Sequence, residues 1–129
     1  EVERPNPQYA ALLQEQLGGG NGELKAAMQY MSQSFRIKDP KIKDLFLDIA
    51  AEELGHMEMV AAIVHQLTRN LTDEEGRKSP SFAPYFVDHT TGVYPTAASG
   101  FPWSAGSIQS TGDVIADLTE DLAADGAMA

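Results

Sequence analysis

Residues 40–68, PKIKDLFLDIAAEELGHMEMVAAIVHQLT, decide how this chain reads. Asp39 precedes Pro40, the pairing of an N-cap acid with a proline at the first helical position. No second proline follows before Thr68, so one helix of nearly eight turns is expected at ~3.6 residues per turn. Its apolar stripe is Ile42, Leu45, Phe46, Ile49, Val60, Ile63, Val64 and Leu67, and Lys41, Lys43, Asp44, Asp48 and Gln66 face away. Glu53 lies seven residues from both Phe46 and Val60, in the middle of the stripe, and His56 follows three residues later on the same side. A bare carboxylate there costs on the order of several kcal/mol of desolvation unless it is protonated, paired or bound to a cation.

The flanking segments repeat the anomaly. Pro5 and Pro7 open the chain, a short helix is expected over Tyr9 to Leu17, and Gly18, Gly19 and Gly20 end it. Asn21 is the expected N-cap of a helix over residues 21–36 with Glu23 and Leu24 in its first turn. Leu24, Ala27, Met28, Met31 and Phe35 form its expected apolar face, against Lys25, Gln29, Ser32, Gln33 and Arg36, and Glu23 flanks that face. Residues 69–111 are rich in Pro, Gly, Ser and Thr and read as an irregular crossover. Tyr85, Phe86, Val87, Tyr94, Phe101 and Trp103 make it too apolar for a solvated linker, so it is expected to pack on the surface. A further helix is expected from residue 112, with Ile115, Leu118 and Leu122 inward and Asp113, Asp117, Glu120 and Asp121 elsewhere. Asp125, three residues after Leu122, rejoins the apolar side.

Composition narrows the function. The 129 residues suit one domain, and 43% of them are hydrophobic, enough for a core. A net charge of −10 argues against nucleic acid or an anionic membrane as partner. The absence of cysteine excludes disulfides, thiol catalysis and thiolate metal sites. The longest purely apolar run, Met59 to Val64, is far short of the ~20 residues of a membrane span. The chain begins with Glu1, without a visible signal peptide, and is expected to be processed or trimmed.

Each helix thus brings an acid to its core face, and one adds an E-x-x-H pair. Carboxylate oxygens suit hard cations and imidazole suits manganese, iron or zinc. Such a set is the pattern of a dimetal carboxylate site inside a four-helix bundle. An E-x-x-H pair alone is usually two surface residues; its place on the stripe is what gives it weight. Glu52 and Glu58 read as exposed acids, Met28, Met31, Met57 and Met59 as core filler, His65 as outward-facing and His89 as a hydrogen-bonding loop residue.

GELKAAMQYMSQSF, KDPKIKDLFLDIAAEELGHMEMVAAIVHQLT and YFVDHTTGVYPTAASGFPWSAGSIQSTGDVIADLTEDLAAD together resemble the manganese catalases and their spore-coat relatives, in matching order over nearly the whole chain. The resemblance implies an all-α, ferritin-like four-helix bundle, with the first two long helices, a long crossover and the start of the third present here. It implies a dimanganese centre that converts hydrogen peroxide to water and oxygen, a homohexamer and a cytoplasmic location, or a spore coat. Glu23 matches a terminal carboxylate, Glu53 the carboxylate that bridges the two metals, and His56 the imidazole on the first metal. Asp125 stands where the family has a Glu for the second metal, one methylene longer. Tyr30 matches a tyrosine beside the first-metal carboxylate, and Asp44 with Asp48 resembles an intersubunit calcium site of some members. The fourth helix with the second histidine is absent, so four of five expected protein ligands are present and the chain reads as the front portion of a longer protein. A catalytically weak shell protein of the same fold and a di-iron oxidase are the rival readings.

Overall fold

In the computed structural model, which describes the backbone of residues 2–128 and the side chains of residues 2–123, the chain forms α1 (Pro7–Gly18), α2 (Glu23–Ser34), α3 (Pro40–Thr68), α4 (Asp73–Lys78), α5 (Ala83–His89) and α6 (Val114–Met128). The Asp39 carboxylate caps α3 by accepting from the N–H groups of Lys41 at 2.9 Å and Ile42 at 3.5 Å. Asn6 does the same for α1 through the Tyr9 N–H at 3.0 Å. The only strand-like feature among the described residues is the isolated bridge between Thr96 and Pro102. No helix there is long and apolar enough to cross a membrane.

The central α3 carries two apolar clusters. Near its C-terminal end, Val64 and Leu67 pack with Ala10, Ala11 and Leu13 of α1 and with Phe82, Tyr85 and Phe86 of the crossover. Nearer its start, Phe46 and Ala50 pack with Tyr30 of α2 and with Ile37. Glu53 and His56 fall between the two clusters along the same helix.

The crossover is more regular than its composition suggests: it contains α4, α5 and a 3-10 turn at Ala105–Ser107. The start of α4 is a capping box, in which the Thr72 hydroxyl accepts from the Glu75 N–H at 3.2 Å and donates to its carboxylate at 3.0 Å. Crossover and helices are locked by polar side chains. Gln14 of α1, fully buried, donates to the carbonyls of Tyr94 at 2.6 Å and Thr96 at 2.9 Å. Gly18 sits so close that an added Cβ would lie 2.2 Å from the Thr96 nitrogen, which excludes any larger residue there.

Two expected facings change: in α2 polar residues of the expected outer face join Ala27 inside, and in α6 the acidic face turns inward. In α2, Lys25, Gln29 and Gln33 are buried while Phe35 beyond its end is 67% exposed. Gln29 donates to Asp121 of α6 at 2.9 Å and accepts from the Gln109 N–H at 2.9 Å; Gln33 donates to the Gln109 carbonyl at 2.7 Å. In α6, Asp117 and Asp121 are buried, whereas Ile115, Leu118 and Leu122 are exposed. Asp117 accepts from the Thr111 N–H and hydroxyl, both at 2.8 Å, and from the Gly112 N–H at 3.3 Å, so the buried carboxylate is satisfied by the turn that precedes its own helix. Periodicity finds two faces of a helix; the hydrogen-bond partners decide which one turns inward. Helix ends also shift: Gly22, not Asn21, precedes α2, which ends at Ser34 rather than 36, and Asp113 caps α6 through the N–H groups of Ile115 and Ala116.

The Tyr85 hydroxyl pins the crossover to itself through two backbone groups. It donates to the Gly92 carbonyl at 2.6 Å and accepts from the Tyr94 N–H at 2.8 Å. Burial holds its pKa above the ordinary 10.0, against the opposing pull of the Tyr94 hydrogen bond. Its stabilising contribution is therefore complete below about pH 10 and is lost as pH climbs through the higher folded value. Tyr85→Phe keeps the ring and strands two backbone groups, so urea unfolding should show a loss of about 1–3 kcal/mol, and the variant should lack the wild type's late phenolate titration step.

Candidate metal centre

Glu23 is the first residue of α2, where unpaired helix N–H groups favour a negative charge. Glu53 and His56 project from one side of α3, three residues apart. The pairing of α2 with α3 brings the three together, and one ligating atom from each lies within 4.8 Å of the others. His56 Nδ1 is 3.5 Å from Glu53 Oε2 and 3.9 Å from Glu23 Oε2. The carboxylate side chains are only 12% and 15% exposed, whereas the imidazole is 54% exposed. The set is thus sunk at its acidic end and open at His56.

The electrostatics fit a cation. No Lys or Arg forms an ion pair with Glu53 among the described residues. Its Oε2 is buried and has no hydrogen-bond partner among them. Two carboxylates with oxygens within 4.8 Å of each other repel by roughly 3–4 kcal/mol at an effective dielectric of ~20. A divalent cation removes that repulsion and satisfies the stranded oxygen, and the mixture of carboxylate oxygen and imidazole nitrogen suits manganese, iron or zinc.

The other sequence-derived candidates fall elsewhere. Tyr30 is buried in the cluster with Phe46 and Ala50, its ring edge-on to Phe46 with centroids 5.7 Å apart. Asp44 and Asp48 are both exposed on α3, and no third acid or histidine joins them in a metal-sized group among the described residues. Asp125 lies outside the residues whose side chains are described. His89 stacks between the rings of Tyr85 and Tyr94, at 4.6 and 4.8 Å. Gln29 and Asp121, which join α2 to α6, and Gln33 and Asp117, which bond to the segment between residues 109 and 112, are expected to face outward from the sequence. The signal that could have found them is their matched spacing of four residues in both helices.

A helical fold that gathers two carboxylates and a histidine from paired helices is a ferritin-like fold with a candidate carboxylate metal site. Residues 1–128 match the family described as manganese containing catalase, and the chain belongs to that family. A probable manganese catalase of Clostridium acetobutylicum is 50% identical over 97% of this chain and 55% of its own length. Protein CotJC of Bacillus subtilis is 42% identical over 97% of this chain and 65% of its own length. The crystal structure of KatB, a manganese catalase from Anabaena, superposes with a TM-score of 0.88 at 36% identity, over 99% of this chain and 57% of that one. The chain therefore spans 55–65% of the length of these relatives.

Without metal, Glu53→Gln removes one of two mutually repelling charges at constant shape. It should raise the metal-free unfolding free energy by on the order of 1–3 kcal/mol, measured by urea titration in chelator.

Proposed function

We propose that this chain forms part of a dimanganese catalase, converting two molecules of hydrogen peroxide to two of water and one of oxygen. The observation that carries the proposal is the convergence of Glu23, Glu53 and His56 within 4.8 Å, with the buried Glu53 Oε2 lacking a hydrogen-bond donor among the described residues. Glu53, nearly buried on α3, would hold metal through its carboxylate. Glu23 closes the α2 side as a terminal ligand and His56 supplies the imidazole. Asp125 is the candidate for the second metal, and Tyr30 positions the acidic end of the site. A manganese pair held there would supply two-electron oxidation and reduction of peroxide without free radicals.

The protein's own contribution is placement and exclusion. Phe46, Ala50 and Tyr30 keep the acidic end out of bulk water, which preserves the charge attraction for a cation. The exposed His56 edge is the route for a small neutral peroxide molecule. Iron is the alternative metal, since the donors bind both, and calcium at Asp44 and Asp48 is the further candidate site. A cytoplasmic setting and a homo-oligomer accompany the catalase reading.

A second reading is a shell protein of the same fold without turnover. It is supported by the resemblance to spore-coat relatives and by the 42% identity to protein CotJC of Bacillus subtilis. Elemental analysis of protein purified without added metal, followed by oxygen evolution from peroxide, separates the readings. Manganese at stoichiometric level with oxygen release supports catalase; manganese without oxygen supports the shell protein; iron redirects the assignment to a di-iron oxidase. Glu23→Gln and His56→Ala should each lower manganese content at least tenfold. Full manganese retention by both would sink the assignment of this site.

A further inference from the structure

Asparagine is a thermolabile residue, and this chain has three: Asn6 before Pro7, Asn21 before Gly22 and Asn70 before Leu71. An asparagine side chain is attacked by the backbone nitrogen of the residue after it, so that residue sets the rate. Pro7 has no N–H to give up, and the Asn6 side chain is engaged as the cap of α1. Asn21 and Asn70 are a matched pair. Both are exposed in turns. In each, the next N–H donates to a carbonyl three residues back, Gly22 to Gly19 at 3.1 Å and Leu71 to Thr68 at 3.0 Å. They differ in what stands beside the attacking nitrogen: a branched side chain at Leu71 and none at Gly22.

We propose that Asn21 is a modification site, which deamidates through a cyclic imide and, in its isoaspartyl form, unseats Glu23. The Gly22 nitrogen bonds to the side-chain carbonyl carbon of Asn21. The bond from that carbon to the side-chain nitrogen breaks, and ammonia leaves with the proton that Gly22 gives up. Water then opens the ring. Opening at the side-chain carbonyl gives aspartate on the original backbone. Opening at the main-chain carbonyl gives isoaspartate, whose backbone runs through the side-chain methylene. One water is consumed, one ammonia is released and nothing is oxidised or reduced. The bond to Gly19 holds the attacking nitrogen while the turn is closed, so reaction proceeds from local opening. Room for that exists at Gly20, where an added Cβ would meet nothing nearer than the Ser107 Oγ at 3.9 Å.

Gly22 is the N-cap of α2, its carbonyl accepts the Ala26 N–H at 3.1 Å, and Glu23 is the next residue. It is packed without slack, since an added Cβ would lie 2.6 Å from the Gln16 carbonyl oxygen. Upstream, Gly18 and Gly19 are closed in by Thr96 and Glu15, at 2.2 and 2.3 Å from an added Cβ. One extra backbone atom between them therefore displaces the entrance of α2 and draws Glu23 away from Glu53 and His56. The aspartyl form leaves the backbone unchanged and adds a negative charge at a helix N-terminus, where it is tolerated. Loss of metal from the isoaspartyl form rests on the reading of Glu23 as a ligand.

The test is ageing of the 129-residue chain, loaded with manganese chloride, in mildly alkaline buffer, followed by tryptic mapping and metal analysis. The peptide that ends at Lys25 should gain one dalton at least tenfold faster than the peptide that begins at Asn70, with isoaspartate exceeding aspartate. Manganese content should fall in step with the isoaspartyl fraction. Asn21→Asp should keep its manganese, and Asn21→Gln should keep both its mass and its manganese over the same time. Conversion of Asn21 no faster than that of Asn70 overturns the modification site. Full manganese in the isoaspartyl fraction, the result expected if Gly20 absorbs the extra atom, overturns the displacement of Glu23. So does equal manganese loss by Asn21→Gln. A fresh chain that takes up no manganese defeats the metal reading alone. The modification is then still read by mass, and the displacement by urea unfolding, in which the isoaspartyl fraction should unfold at lower urea than Asn21→Asp. An unchanged midpoint there overturns it.

Discussion

Two carboxylates held side by side between two apolar clusters are the constraint on which this molecule turns. Phe46 and Ala50 on one side and Val64 and Leu67 on the other would, by themselves, make α3 an ordinary amphipathic helix. Glu53 interrupts that run and is nearly buried, and α2 brings Glu23 to meet it. Desolvation and mutual repulsion both oppose this arrangement in the metal-free chain. The helix N-terminus beneath Glu23 offsets part of the cost, and His56 offsets more only when protonated. A divalent cation answers all of it at once, so the packing of α2 on α3 and the chemistry of the site are one problem.

The rest of the fold serves that pairing through amides. Gln14 ties the crossover to α1, and Gln29 and Gln33 tie the far end of the crossover and α6 to α2. Each of these side chains is buried and each bonds to backbone or to a buried acid. A network of that kind is specific because its geometry must be met group by group, whereas apolar contacts tolerate sliding. Asp117 and Asp121 are therefore the counterpart of Glu53: buried acids whose hydrogen-bond donors come from the protein itself, not from a cation.

That contrast explains what could be read from the sequence. The span of α3, the burial of Glu53 and the nearness of Glu23 and His56 follow from one long helix whose stripe contains an acid, and the family resemblance agrees with the match over residues 1–128. The facing of α6 did not follow. Ile115, Leu118 and Leu122 looked like a core face because apolar residues usually are, yet the buried acids on the other side find donors in Thr111, Gly112 and Gln29. Thr111 and Gly112 lie just ahead of the helix, but Gln29 is 92 residues from Asp121, beyond the reach of apolar periodicity within one helix. The helices of the crossover were hidden by composition, although T-D-E-E at Thr72–Glu75 is a capping signal in plain view.

The central claim is that Glu23, Glu53 and His56 are gathered to hold metal. Anomalous X-ray scattering from crystals grown with manganese, collected on either side of the manganese absorption edge, tests it directly. The account predicts an edge-dependent peak within bonding distance of all three side chains. A manganese peak elsewhere on the chain, with the three side chains linked only to one another, would contradict it.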